Sequence, residues 1–323
     1  MLLPIHDRNP VVHIRFQIVT CLIIVACVLV FIWELMLSDT EQGAVAILRL
    51  SFVPARLFGP ADGSLQPDIL WGVGSIASSL FLHSGFGHLF GNMLFLWVFG
   101  DNIEDATGHG RFILFYLICG TVAALAQAAI DLHDVTPIIG ASGAISGILG
   151  GYLMLHPHAR ILVMTYFFLT FRIRAVWLIG LWIAYQVVLG LMDDGTSHIA
   201  WWAHIGGFAT GAALIPLMRR PGILLFDRDV GETAGHRQGG LARHQTTQIA
   251  VVALVIGVPF VGFLFFDLLT TPLALVLLGY SIYLLIQNLQ AQTAHDKTLQ
   301  DRREAKEGRR RSIIPRIFGK RKH

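Results

Sequence analysis

The sequence predicts an all-α fold: a polytopic membrane helix bundle with a six-helix core and one or two additional membrane helices near the C-terminus. Two observations predict it. The chain of 323 residues is 54% hydrophobic and 14% charged, whereas soluble domains carry about 25% charged residues. Apolar segments close to the ~20 residues that cross a bilayer also recur along the chain. The composition therefore excludes an ordinary soluble domain.

Six apolar segments define the expected core, residues 15–218. The expected helices 1 to 6 cover about residues 15–37, 84–101, 110–130, 141–156, 174–191 and 199–218. The connection 38–76 is apolar but interrupted by proline and glycine, which favours a segment lying in the membrane interface over one that crosses. The first apolar run is too long for a signal-peptide core and precedes no small-residue cleavage site, so we interpret it as a retained helix.

The segments outside the core predict the topology. Residues 1–14 form the expected N-terminal segment, a polar linker covers 219–246, a second apolar region covers 247–290, and a basic tail covers 291–323. Lysine and arginine in short loops mark the cytoplasmic side, which predicts that both termini are cytoplasmic. An even number of membrane crossings must then separate the linker from the tail. Two helices in 247–290 satisfy this requirement, and so does a re-entrant hairpin. We interpret the tail as an anchor on anionic lipid rather than a nucleic-acid-binding segment.

A glycine-rich stretch, residues 140–151, opens expected helix 4. Each interior glycine costs about 1 kcal/mol relative to alanine in an ordinary helix, but small residues let helices approach closely inside a membrane bundle. Ser142, Ser146 and Gly150 are spaced by four and share one helix face. Ser142 is therefore either a nucleophile or part of a packing seam.

Polar residues fall at one depth in three expected helices. Ionisable groups inside a membrane are expensive, so each is a functional candidate. Expected helix 2 carries His83, His88 and Asn92, and expected helix 6 carries His204 about one turn from its start. The predicted topology places all of them, together with Ser142, in the outer half of the membrane.

Expected helix 6 has a small-residue face of its own. Gly207 and Gly211 follow His204 on the same face, so helices 4 and 6 are expected to pack through small residues and bring Ser142 next to His204. A serine hydroxyl needs an adjacent base to become a nucleophile, and imidazole is the usual base.

Donors for an oxyanion are also available. Asn92 and His88 lie four residues apart on one helix face, and the backbone N–H of Ser142 lies at a helix N-terminus. The structural alternative is a serine bonded to its own backbone and a histidine in an interhelical hydrogen bond. His83, near the start of its helix, is more typical of a structural group.

At these residues the sequence resembles the rhomboid family of intramembrane serine proteases, over about residues 10–218. The motifs that carry the resemblance are Gly140-Ala141-Ser142-Gly143, Ala203-His204-Ile205-Gly206-Gly207, His88-Leu89-Phe90-Gly91-Asn92, and Phe99-Gly100-Asp101-Asn102-Ile103-Glu104-Asp105. The resemblance implies that Ser142 is the nucleophile and His204 the general base, without a third acid. It also implies that His88, Asn92 and the Ser142 amide bind the oxyanion.

Small residues are expected to pack around this site. They are Gly140, Gly143, Ser146, Gly150, Gly207 and Gly211. The sequence departs from the family at one of them, because some members carry an aromatic residue four positions after the serine, stacked on the histidine. Ser146 occupies that position here, which leaves open what orients His204.

The leading functional hypothesis is an endopeptidase that cleaves membrane-spanning proteins near their outer ends. The alternative is a catalytically inactive rhomboid-like protein that binds or routes membrane proteins, although loss of the serine or the histidine is its expected signature. A transporter would predict inverted repeats and charges near the midplane, and the sequence has neither. We expect no metal or other cofactor, since the cysteines lie in apolar segments and no His-Glu-x-x-His occurs. The expected partners are transmembrane protein substrates and the lipid bilayer, not nucleic acid, and the expected location is a bacterial inner membrane.

Overall fold

The computed structural model describes the N-terminal two thirds of the chain. The described residues are 2–7, 9, 11–37, 40–59, 68–165, 169–195, 197 and 199–227. All belong to one compact unit, Met1–Gln238. The expected membrane helices in 247–290, the basic tail 291–323 and the linker beyond residue 227 lie outside the described residues.

The described part of the chain is mostly helical. In chain order its elements are β1 (Leu3–Asp7), α1 (Ile18–Leu37), α2 (Glu41–Leu50), α3 (Pro54–Phe58), α4 (Ile69–Ser79), α5 (Phe86–Thr107), α6 (His109–Ala128), α7 (Ser142–Leu155), β2 (Arg160–Met164), β3 (Thr170–Arg174), α8 (Ala175–Met192) and α9 (Trp201–Met218). The six expected core helices correspond to α1, α5, α6, α7, α8 and α9. By length and composition α1, α6 and α8 are able to cross a membrane, so the predicted helical membrane bundle is confirmed.

The short helix α7 lies at the centre of the bundle, packed against α5, α6 and α9. At several glycines the backbones of α7 and α9 come into direct contact. A Cβ added at Gly207 would overlap the carbonyl oxygen of Gly143, and one added at Gly211 would overlap that of Gly147. The glycines therefore allow an approach that any larger residue would prevent.

The connection between α1 and α5 contains three short helices. The Thr40 hydroxyl caps α2 by accepting the Gly43 N–H at 3.0 Å, and Pro54 begins α3, where its missing N–H costs nothing. Between them, Phe52 is fully buried and exchanges two backbone hydrogen bonds with Ile138, of 3.2 and 2.7 Å. This connection therefore holds the chain that leads into α7.

A three-stranded antiparallel sheet, in the order β1-β2-β3, is a feature that the sequence analysis missed. The strands β2 and β3 form the connection from α7 to α8, and β1 comes from the N-terminal segment. The side chain of Asp7, at the end of β1, accepts hydrogen bonds from Tyr152 at 2.6 Å and Asn102 at 3.0 Å. The sheet is thereby attached to α7 and α5.

The helix α5 continues to Thr107, beyond the end expected near residue 101. Its last turns are acidic, yet they are buried because the carboxylates have partners. Glu104 accepts the N–H groups of Val19 and Thr20 at 2.9 and 2.8 Å. These are first-turn donors of α1 that have no partner within their own helix, so α5 caps the neighbouring helix.

Candidate functional site

Ser142 and His204 lie side by side at the starts of two touching helices. Ser142 is the first residue of α7, and His204 lies in the first turn of α9. The His204 Nε2 atom is 2.9 Å from the Ser142 Oγ atom. This is a normal hydrogen-bond distance, and it pairs a hydroxyl with an imidazole nitrogen.

The other ring nitrogen of His204 bonds to α8. Its Nδ1 atom is 2.8 Å from the Oε1 atom of Gln186, which is 4% exposed. Because an amide oxygen only accepts, Nδ1 carries the proton and Nε2 is left as an acceptor facing Ser142. Trp182, one turn earlier on α8, stands 5.9 Å from the His204 ring at an angle of 39°, and Trp201 meets the ring edge-on at 6.5 Å.

The sequence analysis missed Gln186 and Trp182. A signal was present, since Gln186 is a polar side chain in the middle of an otherwise apolar membrane segment. Its spacing of four from Trp182 places both on one face of the helix.

Of the expected packing residues, Gly150, Gly207 and Gly211 lie at the contact between α7 and α9, whereas Gly143 packs against α6 and Gly140 against His88. A Cβ added at Gly150 would overlap the carbonyl oxygen of Phe208, as one at Gly207 or Gly211 would overlap α7 backbone, and one at Gly143 would meet the Ala123 Cβ at 2.6 Å. The hydroxyl of Ser146 donates to the Ser142 carbonyl oxygen at 2.6 Å. Ser146 thus bonds to its own helix.

The first turns of α5 provide polar side chains beside the start of α7. Gly140 has φ +116°, a conformation that favours glycine, and a Cβ there would lie 2.8 Å from His88 Nε2 and 3.8 Å from Asn92 Nδ2. Asn92 is 7% exposed, and its Nδ2 atom has no hydrogen-bond partner among the described residues. The residue before α7, Ala141, gives the helix no side-chain cap. The donors near Gly140 and Ser142 are therefore the side-chain amide of Asn92 and the backbone N–H groups at the start of α7.

His83 packs against His88 and does not reach Ser142. Its ring meets the His88 ring edge-on at 5.2 Å, and its own Nδ1–H donates to the Phe81 carbonyl oxygen at 3.1 Å. Its backbone N–H donates to the Glu34 carboxylate, at 3.1 Å to the nearer oxygen. The Ser84 Oγ atom lies 3.1 Å from His88 Nδ1. His83 therefore contacts His88 rather than Ser142.

Glu34 and Ser84 were also missed in the sequence analysis. Glu34 is 5% exposed, and it stands alone as a charge in the apolar segment of α1, which is the signal that marks a functional or structural role. Within the described part of the chain, no group of three or more histidine, cysteine, aspartate or glutamate residues is arranged to hold a metal ion.

Comparison with known proteins agrees with these motifs. Residues 70–221 match the family model of the Rhomboid domain, a range that contains both Ser142 and His204. Together with the helical bundle and its membrane-length helices, this match identifies a multi-pass membrane protein.

Three curated relatives each match about half of the chain. "Rhomboid protein 1, mitochondrial" of Saccharomyces cerevisiae is 34% identical over 156 residues, which are 46% of this chain and 42% of the relative. "Rhomboid protease GluP" of Bacillus subtilis is 32% identical over 157 residues, 49% of this chain and 29% of the relative. "RHOMBOID-like protein 4" of Arabidopsis thaliana is 35% identical over 189 residues, which are 54% of this chain and 44% of the relative. The match thus spans less than half the length of each of these relatives. Residues 70–221 of the chain are a Rhomboid domain.

Proposed function

We propose that the chain is an intramembrane serine endopeptidase that hydrolyses peptide bonds of membrane-spanning proteins with a Ser142–His204 dyad. The observation that carries the proposal is the 2.9 Å approach of Ser142 Oγ to His204 Nε2. A hydroxyl beside an imidazole nitrogen that is free to accept its proton meets the requirement for an activated serine. The relative "Rhomboid protease GluP" supports the same reaction class.

The chemistry proceeds in two stages. Ser142 Oγ attacks the scissile carbonyl carbon while His204 Nε2 takes the hydroxyl proton. The tetrahedral intermediate collapses when the imidazolium returns that proton to the leaving amine, which leaves an acyl-enzyme on Ser142. Water then attacks the ester carbonyl and gives a proton to His204, and this proton passes to Ser142 Oγ as the acid product leaves.

The developing oxyanion needs preorganised donors. Asn92 Nδ2 is buried without a partner among the described residues, and the backbone N–H of Ser142 stands at the start of α7. His88 is the third donor if its Nε2 carries the proton. A hydroxyl of Ser84 that donates to Nδ1 selects that tautomer.

For the membrane orientation, we propose cytoplasmic termini and a site near the outer surface of a bacterial inner membrane. The end of α7 away from Ser142 leads to Arg160, and the end of α9 away from His204 leads to Arg219. Basic residues mark the cytoplasmic side, so the dyad lies towards the opposite side. Labelling of cysteines introduced at Thr136 and at Arg160 by an impermeant reagent on intact cells tests this orientation. We expect the first position, and not the second, to react.

Purified protein in detergent, incubated with a model single-span substrate, tests the activity. We expect wild type to cleave, and Ser142→Ala and His204→Ala each to abolish cleavage. Ser146→Ala is the matched control, because it removes a hydroxyl of the same helix that bonds to backbone, and it should retain activity. A fluorophosphonate that labels serine nucleophiles provides a second readout without a substrate.

Cleavage that persists in Ser142→Ala would exclude the mechanism. A folded wild-type protein that neither cleaves nor takes the label would support the alternative, a catalytically inactive rhomboid-like protein that binds or routes membrane proteins.

A further inference from the structure

We infer that Gln186 is the positioning residue of the dyad: its amide oxygen holds His204 in the tautomer that accepts the Ser142 proton, in the place that a carboxylate occupies in a three-residue triad. The inference rests on the proposed function. It concerns a residue on α8, a helix that contains none of the sequence motifs of the site.

Both nitrogens of the His204 ring are engaged, and from opposite sides. Nδ1 is 2.8 Å from Gln186 Oε1, and Nε2 is 2.9 Å from Ser142 Oγ. Since the amide oxygen has no proton to give, the first bond requires Nδ1–H, and the second nitrogen must then be the lone-pair nitrogen. The tautomer needed for general base catalysis is thus the one that Gln186 stabilises.

The same helix supplies the aromatic face of the site. Trp182 precedes Gln186 by one turn and stands 5.9 Å from the His204 ring, tilted by 39°. Ser146, four residues after Ser142, directs its hydroxyl to the Ser142 carbonyl oxygen at 2.6 Å. Trp182 and Gln186 of α8 therefore orient the imidazole. Ser146, four positions after the nucleophile on α7, is too small to do so.

A neutral amide suits this location better than a carboxylate. Gln186 is 4% exposed on a helix of membrane length, where an ionised side chain would carry a large desolvation penalty. An amide accepts the same N–H without introducing a charge. The consequence is a site in which the imidazolium formed during catalysis receives less electrostatic support than in a triad with an acid.

The competing explanation is that Gln186 forms only an interhelical hydrogen bond that holds α8 to α9. The chain offers a matched glutamine for comparison. Gln127 Oε1 accepts the backbone N–H groups of Trp202 and Ala203 at 3.0 and 3.3 Å, so it caps α9 through its backbone rather than through the His204 ring. Loss of the Gln127 amide should lower stability without changing the base.

The experiment measures the second-order rate constant of Ser142 labelling by a fluorophosphonate from pH 5 to 9, in the full chain in detergent. Gln186→Met keeps the length of the side chain and removes the acceptor, and it should lower the rate constant by roughly 10², the lower range for general base catalysis. Gln186→Glu restores an acceptor. It should recover the rate constant to within about tenfold of wild type, with the acidic limb of the profile moved to higher pH.

Gln127→Met is the control, and it should lower the unfolding temperature while leaving the acidic limb at its wild-type pH. Wild-type rate and profile in Gln186→Met would overturn the inference while the proposed function stands, provided that Ser142→Ala takes no label. The inference also fails if Gln186→Glu is as slow as Gln186→Met and shows no displaced limb. If Gln186→Met fails to fold, the inference is tested by Gln186→Glu alone: an acidic limb at higher pH than in wild type supports it, and an unmoved limb overturns it. Absence of label in wild type would overturn both proposals.

Discussion

The two ends of α5 use their polar side chains in opposite ways. Near its start, Asn92 is 7% exposed, yet its Nδ2 atom has no hydrogen-bond partner among the described residues. Near its end, the fully buried Glu104 accepts the N–H groups of Val19 and Thr20, the Thr20 hydroxyl at 2.7 Å, and the His109 ring at 2.5 Å. The Asn92 amide at one end is thus a donor without a described acceptor, whereas the Glu104 carboxylate at the other end accepts four hydrogen bonds.

The neighbouring Asp105 repeats the pattern of Glu104. Its carboxylate accepts the backbone N–H groups of Val12, His13 and Ile14 at 3.1, 2.6 and 2.7 Å. The carboxylates thus satisfy backbone donors ahead of and within the first turn of α1, which is a structural task. The unused donor of Asn92, which lies near Gly140, fits the proposed oxyanion site. Variants at one end of α5 should therefore lose stability, and variants at the other should lose rate.

Glu104→Ala should have the largest effect. It would leave buried N–H and hydroxyl donors without an acceptor, and removal of one partner from a buried charged network costs about 3–5 kcal/mol. The midpoint of thermal unfolding in detergent measures the loss. Glu41→Ala, at an exposed glutamate in the first turn of α2, is the control and should change stability by less than about 0.5 kcal/mol. Equal midpoints for the two variants would contradict the structural role.

Asn92→Ala should lower the turnover number by about 10²–10³, the effect of one oxyanion donor, with little change in the unfolding midpoint. The control lies on the same helix. Asn102 donates to Asp7 and Asp101 at 3.0 and 2.8 Å, so Asn102→Ala should lower the midpoint and leave turnover of the folded fraction nearly unchanged. If both variants lose rate and stability together, the two ends of α5 do not differ as described.

Gly207→Ala should cost about 1–3 kcal/mol, the usual penalty of overpacking, and should also slow turnover. Its Cβ would overlap the Gly143 carbonyl oxygen, so α7 and α9 must separate, and with them Ser142 and His204. A displacement near 1 Å costs up to about 10² in rate. Gly180→Ala on α8, where a Cβ meets no atom of the described residues within 4 Å, should have neither effect. Unchanged turnover in Gly207→Ala would show that the glycine contact does not set the dyad distance.

The sequence predicts the helices well and their polar contacts poorly. Apolar runs of membrane length and the spacing of Gly207 and Gly211 suffice to place α7 against α9, because close packing of glycine faces permits few alternatives. The bond from Gln186 to His204 depends on the rotation of α8 about its axis. The single polar side chain of Gln186 indicates which face of α8 is turned inward, but it does not indicate which side chain it contacts. The sheet is missed for another reason, since β1 pairs with residues more than 150 positions away along the chain, as in Asp7 with Ile161.

Asp7, in β1, extends the comparison to the sheet beside the acidic end of α5. Burial raises the pKa of Asp7 from 3.8 to about 7, against the lowering effect of the hydrogen bonds from Tyr152 and Asn102. Between these pH values the folded chain holds a proton that the unfolded chain releases. This contribution to stability is therefore complete below about pH 4 and is lost as the pH rises to 7, with a slope of at most about 1.4 kcal/mol per pH unit.

Asp7→Asn removes the titrating group and keeps an acceptor for the Tyr152 hydroxyl. The unfolding midpoint of wild type should fall relative to that of Asp7→Asn as the pH is raised from 4.5 to 7.5. The difference between the two proteins cancels the titration of groups that they share, apart from those that interact with Asp7 itself. A difference that is constant over this range would mean that Asp7 is ionised in the folded protein, and the carboxylates near the end of α5 would then tolerate another buried charge beside them.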